Sequence, residues 1–169
     1  QAYPAPQGLY DGQHEHDACG VTFVANLTGQ PTHTIVEQAL TALRNLDHRG
    51  AAGAEVNSGD GAGILMQVPD RFFREVTADL GIRLPVRHAY AVGTAFIPGD
   101  AGEIEKTKSR IAELAAQEGL AVLGWRDVPT DPSSLGETAR SVMPHFSQLF
   151  IAGAHERLIG MALERRAFC

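Results

Sequence analysis

The sequence predicts one mixed unit of the α+β or α/β kind, and three observations predict it. Short β-branched runs with a two-residue alternation are interleaved with longer runs whose apolar side chains recur every three or four residues. Gly and Pro fall between these runs, where turns belong. No internal repeat or low-complexity tract breaks the order, which reads βαβαβαββα.

The elements follow in sequence. Residues 1–18 offer Pro, Gly and acidic side chains but little that packs, and read as an extended lead-in. Residues 20–26 (GVTFVAN) alternate and form a strand, and 27–31 carry a turn signal. Residues 34–45 place Ile35, Val36, Ala39, Leu40 and Leu43 on one helical face, with Thr32 or Thr34 as the cap. Residues 47–63 (DHRGAAGAEVNSGDGAG) are a polar loop with five Gly, able to bring backbone close to a ligand or another segment. Residues 64–68 read as a short buried strand, and Pro69 opens a helix over 70–79. A strand at 89–97, a charged helix at 100–117 and a strand at 120–128 come next. A Pro-containing turn region covers 129–136, followed by a strand at 144–152 and a helix at 155–166.

Composition narrows the function classes. Acidic residues outnumber basic ones, 20 to 14, and no basic run is longer than Arg165-Arg166. A nucleic-acid surface needs clustered Lys and Arg to displace counterions, so nucleic acid is excluded as a partner. No apolar run approaches the ~20 residues that cross a bilayer, and the first 18 residues lack the basic and apolar parts of a secretory signal. Only two Cys are present, Cys19 and Cys169, one near each end. Free thiols in a reducing, cytoplasmic compartment are the simpler reading. The chain begins with Gln1 and stops directly after a helical pattern, so the expectation is a piece of something longer.

Cys19 sits where the lead-in meets the first strand, in Asp17-Ala18-Cys19-Gly20-Val21. A lone Cys at a strand start is most often a small buried hydrophobe. Three features favour chemistry instead. The preceding segment has no core pattern. Its removal would give Cys19 a free α-amine, with a reference pKa of about 7.7–8.0, able to take the thiol proton. Gly20 leaves room for a substrate beside the sulfur.

Cys19-Gly20-Val21, followed by an amphipathic helix running into Leu46-Asp47-His48-Arg49-Gly50, resembles the class II glutamine amidotransferases, whose nucleophile is N-terminal. Four longer stretches are more specific: GLYDGQHEHDACGV, LDHRGAAGAEVNSGDGAGILMQVPDRFF, YAVGTAFIP and VLGWRDVPTDPSSLGETARSVMPHFSQLFI. They resemble the start of the glutamate synthase large-subunit family, from Gln7 to about Arg166. The GDGAG and GWRDVP blocks set that family apart from phosphoribosyl and sugar-phosphate amidotransferases.

The resemblance implies an Ntn-hydrolase-type αββα four-layer sandwich, of which only the N-terminal portion is present. It implies that 1–18 is a propeptide-like leader cut off before Cys19, and that 19–169 is the N-terminal part of the amidotransferase domain. Cys19 would attack the side-chain amide of L-glutamine, form a glutamyl thioester and release ammonia. A second site of the parent enzyme would use that ammonia to make glutamate from 2-oxoglutarate, with FMN and an iron–sulfur cluster. No cofactor is implied for this chain itself. The implied partners are the rest of the parent chain and a small electron-transferring subunit. Gly20, Arg49, Gly50, Asp60 and Gly61 are placed near the substrate, Arg49 as a hydrogen-bonding loop residue or a solvated charge. The glycines around Asp60 are read as permitting tight backbone packing near Cys19. A phosphate cradle is rejected because no Lys-Ser/Thr follows them.

Other residues receive structural readings: Trp125 anchors a strand, and Arg126 pairs with Asp127 or a neighbour. No metal site is assigned; His14 and His16 lie in the lead-in, and no CxxC or HExxH spacing occurs. Thr22 stands where relatives often have Gly, with little effect expected in a strand. The family draws its oxyanion donors from an Asn-Gly pair and its carboxylate clamp from an Arg, both in later segments. No Asn-Gly occurs among Asn26, Asn45 and Asn57. The expectation is therefore that this chain alone is inactive and exposes sheet edges. The competing reading is a noncatalytic α/β binding or regulatory module on the same scaffold.

Overall fold

The computed structural model describes residue 8 and residues 20–46, 61–155 and 158–168. The chain divides into two compact units, Gln1–Leu65 and Met66–Cys169.

In the first unit the described residues hold one helix, α1 (His33–Asn45). It begins one residue before its expected start. Thr32 occupies the N-cap position, but its side chain makes no capping hydrogen bond. Ile35, Val36, Ala39 and Leu43 are half-buried along the expected stripe, while Leu40 stays exposed. The turn before α1 forms as expected. Gly29 donates its N–H to the Asn26 carbonyl at 3.0 Å with φ of +70°, a value that suits Gly. The Asn26 carboxamide oxygen accepts from the Thr28 N–H at 3.0 Å and the Thr28 hydroxyl at 2.8 Å.

Two expected strands do not form. Residues 20–26 and 64–68 have no regular structure, and Val21 and Phe23 are 92% and 90% exposed. A strand exists only through its ladder, and neither segment finds a ladder partner among the described residues. The alternation that signals a strand sets which side chains would share a face; it does not supply the neighbour.

The second unit is an α/β/α arrangement around an antiparallel sheet. Its elements are α2 (Asp70–Ala78), β1 (Ala91–Ile97), α3 (Ala101–Gln117), β2 (Leu120–Asp127), α4 (Glu137–Ser141), β3 (His145–Gly153) and α5 (Met161–Ala167). The strand order is β1-β3-β2, with β3 antiparallel to both neighbours. The short α4 was not expected. α5 is shorter than its expected 155–166 span and starts after Gly160. Pro69 precedes α2 directly, and Asp100 caps α3 in a reciprocal capping box with Glu103.

Both faces of the sheet are covered, because side chains alternate along β3. Phe150 and Ala152 pack with Phe73 of α2 and with Ile82 and Tyr90. The Phe73 and Phe150 rings meet edge to face, with centroids 5.3 Å apart. On the other face Ile151 packs with Leu120 and with Leu163 of α5, and Ala115 of α3 joins them. β2 changes phase in mid-strand. Val122 opposes Ile151 and Gly124 opposes Phe150, so Leu123 is an extra bulged residue. Val122 joins the α5-side cluster and Leu123 the α2-side one, and the bulge keeps Gly124 on the α2 side as well, opposite Phe150.

Candidate active site

Cys19, Arg49, Gly50 and Asp60 lie outside the described residues, as do His48 and the leader apart from Gly8. Gly20 and Gly61 are described. Both are exposed on backbone without regular structure. Among the described residues no atom lies within 4 Å of where a Cβ at Gly61 would stand. In the same unit an open depression of about 400 Å³ is lined by Ala25, Asn26, Leu27, Thr32, Thr34, Ile35 and Gln38. It offers two carboxamides, two hydroxyls and apolar side chains, with no titratable group among its lining residues.

The polar chemistry of the second unit is concentrated at two places that sequence reading did not single out. At the start of α2, Arg74 pairs with Asp70, its Nε 3.0 Å from Oδ2. Arg74 also donates to the carbonyls of Leu84, at 3.1 Å, and Pro85. The hydroxyl of Tyr90 donates to Asp70 Oδ1 at 3.0 Å. The Arg74 hydrogen bonds hold the Asp70 carboxyl below its ordinary range, against the opposing effect of burial. Burial first, then the hydrogen bond to Asp70, pushes Tyr90 up to about 12. This network ties α2 to the chain that leads into β1.

The second place is the end of the β2–β3 ladder. Asp127 and Ser147 are direct partners across the two strands. The Ser147 hydroxyl, fully buried, donates to Asp127 Oδ1 at 2.8 Å. His145 Nε2 stands 2.9 Å from the same carboxylate oxygen and 3.0 Å from Ser147 Oγ. Lys108 of α3 approaches that oxygen at 4.0 Å. These three residue types make an acyl-transfer triad only when the two ring nitrogens serve different partners. Here one nitrogen faces both, so the arrangement is a structural clasp and not a nucleophile with its base.

Arg126 illustrates why the clasp was not legible. The sequence reading paired it with Asp127 or a neighbour. Consecutive strand residues point to opposite faces. Arg126 instead donates to Gln148 Oε1 at 2.8 Å and stacks over Phe72, while Asp127 turns to the α3 side. Trp125, in β2 as expected, lies under Lys108 on that side. The usable signal was the pairing of His145 and Ser147 two residues apart on one strand, which puts both on one face. Among the described residues no group of three or more His, Cys, Asp or Glu is arranged to hold a metal, and no helix is long and apolar enough to cross a membrane.

Residues 19–169 match the family Glutamine amidotransferases class-II, and the chain belongs to that family. The particular relatives are glutamate synthases. The chain is 41% identical over 165 residues to the Glutamate synthase [NADPH] large chain of Bacillus subtilis, covering 98% of this chain and 11% of that one. It is 38% identical over 154 residues to Ferredoxin-dependent glutamate synthase 2 of Synechocystis, covering 91% and 10%. With Glutamate synthase [NADH] of Saccharomyces cerevisiae it shares 44% identity over 150 residues, covering 86% and 7%. The chain thus spans about a tenth or less of the length of these relatives.

Proposed function

We propose that this chain carries the glutamine-hydrolysing chemistry of a glutamate synthase, with Cys19 as its nucleophile and 1–18 as a leader removed before it acts. The observation that carries the reading is that the family match begins at residue 19, the one Cys of the N-terminal half. Cleavage after Ala18 frees an α-amine on the residue that bears the thiol. That amine takes the thiol proton, and the sulfur attacks the side-chain amide carbon of L-glutamine. The carbon–nitrogen bond breaks, ammonia leaves with the proton returned by the amine, and a glutamyl thioester remains. Water then attacks the thioester carbon, glutamate departs and the thiol is regenerated. Gly20 leaves space beside the sulfur, and Arg49, Gly50, Asp60 and Gly61 border the substrate. Residues 19–169 form the first part of the amidotransferase domain.

In the same reading the domain is an αββα four-layer sandwich of which this chain supplies the N-terminal portion. The exposure of Val21, Phe23 and Leu65 supports this: each apolar side chain of that size gains about 1.5–3 kcal/mol when a partner layer buries it.

FMN, an iron–sulfur cluster and a small electron-transferring subunit are assigned to the parent enzyme. The residues of this chain do not fit the cluster, since such clusters are held by about four Cys thiolates and only Cys19 and Cys169 are present. A cytoplasmic location goes with the acidic balance and with a Cys count of two, too few for a disulfide framework.

The test is to treat the active full-length enzyme with a glutamine-analogue electrophile and map the adduct. The reading requires labelling at Cys19, and glutamine should protect it. Labelling elsewhere sinks the assignment.

A further inference from the structure

We propose that Asp127, His145 and Ser147 form a proton-dependent clasp at the root of the excursion that leaves β2 at Val128 and returns to β3 through Pro144. The excursion contains α4 and the Pro-containing turn, and its two stems are the last residues of one strand and the first of the next. The stems are held by one backbone hydrogen bond beyond β2, from the Val128 N–H to the Phe146 carbonyl at 2.9 Å. The side-chain clasp lies beside that bond.

The geometry fixes which hydrogen goes where. A carboxylate only accepts, so His145 Nε2 must donate to Asp127. Ser147 uses its hydrogen on Asp127, so its oxygen accepts from the same ring N–H. Nε2 therefore carries a hydrogen in every state that keeps the clasp closed. When the ring carries both protons, that shared N–H becomes part of an ion pair. When the ring is neutral, the clasp persists only in the Nε2–H tautomer and loses its charge.

The neighbours leave His145 as the group that changes. Its β1 partner across the ladder is Ile97, buried and not titratable. On the α3 side stand Lys108, 4.0 Å from Asp127, and Glu105, 3.3 Å from Lys108 Nζ. Lys108 faces the carboxylate from α3. It lies mostly buried over Trp125, which orients it towards the clasp. The Ser147 hydroxyl above all, and His145 after it, hold the Asp127 carboxyl below its ordinary range. The carboxylate thus remains an acceptor through the histidine range. The root tightens as pH falls until Asp127 itself takes a proton.

The experiment is hydrogen exchange on the full chain across a pH series, expressed as protection factors so that intrinsic exchange chemistry cancels. Protection of the Val128 amide and of the 128–144 excursion should rise about two- to five-fold as the ring gains its second proton, the size an exposed ion pair gives. His145→Gln keeps a neutral donor and should flatten that rise; Asp127→Asn should flatten it too. Nitrogen NMR of the His145 ring in the unaltered protein gives a second reading that needs no variant. An Nδ1–H tautomer with bare Nε2, or an undiminished pH response in His145→Gln, overturns the proposal.

Discussion

Gly124 of β2 and Ile82 meet so closely that a Cβ on Gly124 would stand 2.6 Å from Ile82 Cγ1 and 2.7 Å from its Cδ1. Both belong to the α2-covered face of the sheet, and the contact follows from the bulge at Leu123, which turns Gly124 towards Phe150. Gly124→Ala should therefore cost about 1–3 kcal/mol through overpacking. Urea unfolding measures the loss. Ile82→Ala removes both crowding atoms, Cγ1 and Cδ1, and should make the second substitution cost less than it does alone; strict additivity would show that the two side chains do not compete for space.

The opposite change on that face creates a void. Phe150 is fully buried and stacks edge to face on Phe73. Phe150→Ala should destabilise the chain by about 3–5 kcal/mol, with Phe150→Leu losing clearly less. Equal losses from both would mean that ring packing contributes nothing here.

The start of α3 should be sensitive to its cap. Asp100 accepts from the N–H groups of Gly102 at 2.9 Å and Glu103 at 3.0 Å, while Glu103 accepts from the Asp100 N–H. Asp100→Ala leaves those donors without their side-chain partner and should cost about 1 kcal/mol, read by circular dichroism during denaturation. Asp100→Ser should recover most of it.

Two groups of the α2 network give pH limbs of opposite sign. Asp70 is held below its ordinary range, so its stabilisation is complete above its unfolded pKa and fades as pH falls through the lower folded value. Tyr90 is raised from 10.0 to about 12, so the protonated phenol is favoured in the fold. Its contribution is complete below 10 and is lost as pH rises towards 12. Ultraviolet titration should show Tyr90 ionising late, and Tyr90→Phe should remove the alkaline limb while only reducing the acid one, which Arg74 chiefly sets. A Tyr90 signal that ionises with free tyrosine would contradict the network.

How much of this could be read from sequence depended on what each feature needs. α2, α3 and the three sheet strands were legible because the periodicity of each run is strong on its own. Leu120–Asp127 was found although the bulge was not, since one extra residue hardly disturbs an apolar run. α4 escaped because Glu137–Ser141 is too short to show a helical period. Residues 20–26 show strand alternation and 64–68 an apolar run, both without a described ladder, because such patterns are local and pairing is not. The candidate nucleophile came from the Cys–Gly junction and from family resemblance. The Asp127–His145–Ser147 clasp needed the β2–β3 register, which no local pattern encodes.

The central claim is that Cys19 acts with its own freed amine. Its most direct test is intact and peptide mass spectrometry of the catalytically active full-length enzyme, with and without a glutamine-analogue electrophile. The account predicts a mature chain that begins at Cys19 and a single adduct on that residue. Active enzyme that still carries the Ala18–Cys19 peptide bond, or that takes its label on another residue, would contradict it.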